Sequence, residues 1–439
     1  MSHFRIIDLF AGLGGIRLGL EMALSEAGHT SECVFTSEIK GHAIKVLRQN
    51  HPLEKINGDI TSISENDIPD FDILCAGFPC QAFSAAGKRM GFADTRGTLF
   101  FHVERILKAK KPQGFILENV EGLVNHDNGR TFSVILEHLN KLDYKISYKV
   151  LNSKNFGVPQ ERKRIYIVGS LYSDVNLDFF SPTFKCLGDI LQHGQPTVKS
   201  KFIDLLLSKY DIGKLYGKSI KDKRGGANNI HSWDIGMKGE VSSDEKKLLD
   251  KILTERRKKQ WASIIGIDWM DGMPLTAKQI KTFYFHPDLD AMLSRLEKIG
   301  YLKLEHPKKK VLVTTETGTS CTRVQDETKE KGYNIVTGKL SFEINKILSP
   351  NEIAPTLVAM DMQKLYVEDN GGLRKLTLRE GLRLFGYPES FKFDVSEKEG
   401  FDLLGNTVVV PVIKAVAKRL IKTINENVID QPPKIISNG

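Results

Sequence analysis

The sequence predicts an α/β protein: a mostly parallel sheet covered by helices and interrupted by a smaller mixed domain. Three observations carry this. Short apolar runs alternate with helix-patterned stretches through the first 180 or so residues, as expected of βαβ units. The alternation fades over residues 185–350 and returns near 355. The charge excess is confined to that middle stretch, which holds 30 Lys+Arg against 21 Asp+Glu, whereas the rest of the chain holds 33 of each. At 439 residues, 41% hydrophobic and 27% charged, the chain has enough apolar content for two or three domains, and general disorder is excluded.

The elements follow in order. FRIIDLF (4–10) reads as a strand ending at a glycine-rich turn, and residues 16–27 as a helix. CVFTSEI (33–39) is a second strand, and 41–51 a helix stopped by Pro52. DILCAGF (72–78), GFILENV (114–120) and RIYIVGS (164–170) are further strands, with helices over 97–110 and 131–142 between them. A parallel sheet of this kind binds ligands outside the carboxyl ends of its strands. Residues 185–350, where the alternation fades, read as a separate mixed domain. In the C-terminal stretch, Val408, Val409, Val412, Ala415, Val416 and Leu420 share an apolar helix face. The tail after Asp430 is expected to fray.

The insert carries basic runs at 221–224, 255–259 and 307–310, Trp261 and Trp269, and the polar stretch TTETGTSCTR at 314–323. Basic charge inside a neutral frame points to a polyanion, most simply nucleic acid. No apolar run approaches the roughly 18–20 residues that cross a bilayer. The start, MSHFRIIDLF, lacks a secretory pattern. Five cysteines without a CxxC pair fit a reducing cytosol and argue against a disulfide scaffold or structural zinc. A cytoplasmic protein is expected.

Two ends of the sheet edge carry chemistry. DLFAGLGG (8–15) opens the first helix, and Gly12, Gly14 and Gly15 let backbone approach a ligand at a helix N-terminus. Alone, such a turn fits NAD, another nucleotide or S-adenosylmethionine. Glu38, at the end of the second strand, is placed to accept from ribose hydroxyls, and Asp59 from an adenine amino group. Together they favour an adenosyl cofactor. Lys40 is the sole base beside Glu38, which disfavours NADP. At the other end, Cys80 in GFPCQAFS (77–84) lies just past the third apolar strand and is a candidate nucleophile, stiffened by Pro79, whereas Cys75 reads as core. Glu118 ends a buried strand, where desolvation raises a carboxyl and suits it to donate a proton. Arg162 and Arg164 alternate into a strand, so both share one face.

These motifs, with TRGTLFF (95–101), QERKR (160–164), RKLTLRE (374–380) and GNTVVVPV (405–412), stand in an order that closely resembles the bacterial cytosine-5 DNA methyltransferases of restriction–modification systems. The resemblance covers 4–180 and 355–424. It implies an S-adenosylmethionine-dependent methyltransferase fold, Rossmann-like, made discontinuous over 1–182 and 355–430 by an inserted target-recognition domain at 185–350. It places Phe10, Gly12, Leu13, Gly15, Glu38, Ile39, Asp59, Ile60, Pro79, Leu99, Asn406 and Val408 in the cofactor pocket. Ile39 stands where some relatives have tryptophan, and Thr407 where serine is common. Cys80 becomes the nucleophile that adds to carbon 6 of cytosine, Glu118 the acid at ring nitrogen 3, Arg164 the grip on the base carbonyl and Arg162 a nearby support. Gln81, Ser84, Lys88, Arg89, Thr356 and Leu357 are expected at the DNA, with Lys88 and Arg89 clamping the backbone. The expected partners are double-stranded DNA and a separately acting cognate endonuclease, with the enzyme a monomer. Two alternatives stay open: methylation of a cytosine in transfer RNA, and a non-catalytic DNA-binding module.

Overall fold

The computed structural model describes residues 1–79, 99–222, 226, 228–315, 318–336, 342–358 and 362–429. The chain divides into two compact units: 1–192 with 350–363 and 376–439, and 193–349 with 364–375.

The first unit is built on a seven-stranded sheet. Its strands are β1 (His3–Leu9), β2 (Thr30–Ser37), β3 (Ile56–Asn57), β4 (Ile73–Ala76), β5 (Gly114–Val120), β6 (Lys145–Asn152) and β7 (Lys163–Ser170). The order is β3-β2-β1-β4-β5-β7-β6. The first five are parallel, but β7 runs antiparallel to β5, and β6 antiparallel to β7. The strand expected over 164–170 is thus present but reversed, and its hairpin partner β6 was missed. KISYKVLN keeps its alternate lysines on a half-exposed edge, so it lacks the continuous apolar run of a buried strand.

The helices are α1 (Gly15–Glu26), α2 (Gly41–Asn50), α3 (Leu99–Lys110) and α4 (Arg130–Asn140), with a long C-terminal helix at Val410–Ile429. One side of the sheet buries Ile7, Leu9, Leu74, Phe115 and Leu117 against Val103, Ile106 and Leu107 of α3 and Ile135 and Leu139 of α4. On the other side lie α1 and the C-terminal helix. They approach so closely that a Cβ on Gly19 would sit 2.7 Å from Ile413. The stretch Glu397–Asn427 is long and apolar enough by composition to cross a bilayer, which the sequence reading did not register. However, 67% of its apolar window is buried within the protein, as in a core helix.

Register sets the site. Leu9 neighbours Ala76, which neighbours Leu117. Phe10, Gly77 and Glu118 therefore emerge at one level of the carboxyl edge.

The second unit holds a five-stranded sheet, a helical cluster around Trp233, Leu249, Leu293 and Tyr301, and two separate two-stranded pairs. Residues 364–375, assigned from sequence to the catalytic domain, belong here. The reason is pairing: Leu365–Asp369 adds parallel to Lys346–Ile347 and turns back into Gly372–Lys375.

Candidate active site

A cavity of about 990 Å³ opens at the carboxyl edge of the first unit. At one end, Phe10, Gly12 and Gly14 adopt left-handed backbone, with φ of 55°, 56° and 71°. For Phe10 this conformation costs on the order of 1 kcal/mol and is the kind of strain held at functional turns. The twisted turn aims its amides at Glu38. Glu38 Oε2 accepts from Gly12 N–H at 2.7 Å, and Oε1 from the N–H of Ile39 and Lys40 at 2.8 Å. Gly15 has no room for a side chain, since a Cβ would fall 2.5 Å from Tyr387 Oη and 2.7 Å from Val408. Asp59 caps the short turn Ile60–Ser62 through Thr61 N–H at 2.9 Å.

The far end of the chain completes this wall. Asp402 binds Lys40 at 2.5 Å and His42 at 2.9 Å, and its carbonyl accepts from Asn406 Nδ2 at 2.7 Å. Lys40 is thus held by a carboxylate. Tyr387 Oη and Thr407 Oγ1 bond at 2.6 Å below the glycine turn. Every residue assigned to the cofactor pocket from the sequence, from Phe10 to Val408, lines this one cavity.

Glu118, Asn119, Arg162 and Arg164 line the same cavity at its other end. Glu118 is buried, and burial raises its carboxyl above the ordinary range against the opposing pull of Arg164 and Arg162. Arg164 Nε lies 3.2 Å from Glu118 Oε1, a charge-assisted contact that orients the acid.

Arg162 lines the cavity with Arg164 but is bonded differently. Its guanidinium turns into the protein and donates to the carbonyls of Leu357 (2.9 Å), Gly405 (3.2 Å) and Thr407 (3.0 Å). It also lies over the Phe385 ring. Burial, then Arg164, lowers its pKa to about 10. Only one of the two arginines pairs with the carboxyl.

Asn119 is a residue whose role sequence reasoning missed. Its Nδ2 donates to Phe78 O at 2.9 Å, and its Oδ1 accepts from Val120 N–H. It fastens the end of the segment that leads through Pro79 to Cys80. The signal was an amide in the last turn of an otherwise apolar strand, where an unpaired polar group would be costly.

Cys75 is buried, as expected of core. Cys80, Gln81, Ser84, Lys88 and Arg89 lie outside the described residues. Thr356 Oγ1 donates to Glu161 O at 2.6 Å. Leu357 is only 1% exposed, so its side chain offers DNA no surface in this state.

Comparison with known proteins supplies the family. The model for C-5 cytosine-specific DNA methylases matches residues 4–422. The chain belongs to that family. This DNA methylase is 61% identical over 431 residues to the type II methyltransferase M.NlaIV of Neisseria lactamica, covering 97% of this chain and 100% of that protein. It shows the same identity and coverage against the type II methyltransferase M.NgoBV of Neisseria gonorrhoeae. Among solved structures, the Entamoeba histolytica methyltransferase EhMeth superposes with a TM-score of 0.53 at 16% identity, covering 98% of this chain and 99% of that one. This likeness speaks to the fold alone. As a member of the family the chain is an enzyme, a DNA (cytosine-5) methyltransferase.

Proposed function

We propose that this methylase takes its methyl group from S-adenosylmethionine held in the 990 Å³ cavity and delivers it to carbon 5 of a cytosine flipped out of duplex DNA. The observation that supports this is the continuity of the cavity, which joins the Glu38–Asp59 end to the Glu118–Arg164 end and includes Pro79, the residue before Cys80. The volume suits an adenosyl ligand. Glu38 and Asp59 would bind its polar edges, with Phe10, Ile39 and Val408 against its apolar surface. When bound, the cofactor supplies an electrophilic methyl on a sulfonium.

The protein's residues do the rest. Cytosine carbon 5 is a weak nucleophile. Addition of the Cys80 thiolate to carbon 6, with Glu118 donating a proton at ring nitrogen 3, turns carbon 5 into an enamine carbon that can attack. Arg164 both orients Glu118 and meets the base carbonyl. Loss of the carbon-5 proton expels the thiolate and restores the ring. Flipping the base out costs a few kcal/mol, which backbone contacts repay. The second unit reads a defined sequence, and the modification shields cytoplasmic host DNA from a cognate endonuclease, as in a restriction–modification pair.

Bisulfite sequencing of DNA from a host expressing the chain tests this directly. We expect 5-methylcytosine at one recurring site. Cys80→Ala should abolish methylation, and should form no adduct with 5-fluorocytosine duplex, while still binding S-adenosylmethionine. An unmethylated genome, or full activity in Cys80→Ala, overturns the reading.

A further inference from the structure

We propose that the two-stranded ribbon Lys308–Thr315/Gly318–Gln325 is the element that enters a DNA groove and reads bases. The inference rests on the reading of the protein as a duplex-DNA methylase.

The ribbon stands by itself. Its strands pair with each other, Lys308 opposite Gln325 through Thr315 opposite Gly318, and with no other strand among the described residues. Eight residues a side make it roughly 26 Å long. A lone hairpin has little stability in water, and the side-chain contacts of this one among the described residues lie towards its Lys308–Gln325 end. Lys309 reaches Asp326 at 3.1 Å and Lys310 reaches Asp268 at 3.4 Å, while Arg323 donates to Trp269 O at 3.0 Å. Trp269 in turn donates to Arg257 O at 3.1 Å.

Among the described side chains further along, several open to solvent. Leu312 is 73% exposed, and Cys321, directly opposite it, is also exposed. On the other face Val324 is 41% exposed beside Lys309. Apolar side chains held out on an unsupported ribbon need a partner surface. The composition selects which one. Residues 308–325 carry four bases and one acid, and Thr322, one position from Cys321, is exposed. Bases near the Lys308–Gln325 end suit phosphates on the groove rim. Thr322 and Leu312, further along, suit a base edge and a thymine methyl. A two-stranded ribbon is one of the shapes the major groove, about 12 Å wide, admits.

Cys321 allows the test on the unmodified protein. Alkylation is followed peptide by peptide by mass spectrometry, with Cys186 as reference, in the presence of S-adenosylhomocysteine and either the methylated-site duplex or a scrambled duplex of equal length. We expect the site duplex to slow Cys321 labelling at least tenfold and the scrambled duplex to slow it much less. Leu312→Ala should then relax discrimination at one base-pair position, by roughly tenfold or more, without changing affinity for S-adenosylmethionine. Unprotected Cys321 under conditions where the same preparation methylates its site refutes the ribbon assignment alone. So does an unaltered base ranking in Leu312→Ala. A wild-type protein that methylates no duplex removes both this inference and the function it rests on.

Discussion

Replacing Arg162 with methionine separates two accounts of the motif that carries it. In the structure its guanidinium satisfies three carbonyls, two of them buried; Gly405 and Thr407 among them flank Asn406 and Val408 on the cavity wall. Methionine fills much of the volume and satisfies none of them. Each stranded carbonyl costs about 1–3 kcal/mol. Removing a buried cation with no bonded acid returns part of that. The net loss is about 2–4 kcal/mol, a fall of roughly 5–15 °C in melting temperature for a unit of this size. With the 405–408 segment loosened, the KM for S-adenosylmethionine should rise about tenfold while kcat changes by less than about threefold. Arg162→Lys, with one charged donor group, should fall between. Thermal melts and steady-state kinetics on the two variants decide the matter. An unchanged melting temperature with a collapsed kcat would show that Arg162 acts on the base instead.

Glu118→Gln should lower kcat about 10²–10⁴-fold with little effect on cofactor affinity, measured by single-turnover methylation and calorimetry. Burial raises the Glu118 carboxyl, and the acid works only while protonated, so the chemical step should decline as pH rises through that raised value. Arg164→Met removes a charge that opposes the shift and should move this decline to higher pH. Asp8 is 2% exposed with an unpartnered Oδ2, and burial lifts its pKa from 3.8 to about 8. The folded state therefore holds its proton more tightly than the unfolded chain does, so its contribution is full below about pH 4 and is lost towards pH 8. Asp8→Asn should remove that slope and stabilise the protein by a few kcal/mol at pH 8, read by urea unfolding at several pH values. Gly19→Val pushes a branched side chain into Ile413, where even a Cβ would lie 2.7 Å away; it should cost about 1–3 kcal/mol or more in thermal melts.

Much of the sheet was legible because its strands are short, apolar and bounded by turns. β5 coincides with GFILENV and β1 nearly so with FRIIDLF. The wall of the cavity was legible for the same reason: a residue just past a strand end must lie at the carboxyl edge. What escaped depends on distant pairing. Alternation told that Arg162 and Arg164 share a face, but not that segments 195 to 245 residues away supply the carbonyls that draw Arg162 inward. The reversal of β7 escaped likewise, since periodicity carries no direction and β6 is a half-exposed edge. The hairpin at 365–375 reads equally well as part of either unit until Lys346–Ile347 claims it.

One wall of the cavity is made by Asp402, Leu403 and residues 405–408, and α1 is covered by the helix that follows them. A ribosome has therefore synthesised more than four hundred residues before this pocket has its last side. Until then Gly15 and Gly19 of α1 lack the residues they pack against, Tyr387 and Val408 for one and Ile413 for the other. Docking of the last helix is therefore what completes the cavity, so its assembly waits on contacts made across nearly the whole length of the chain.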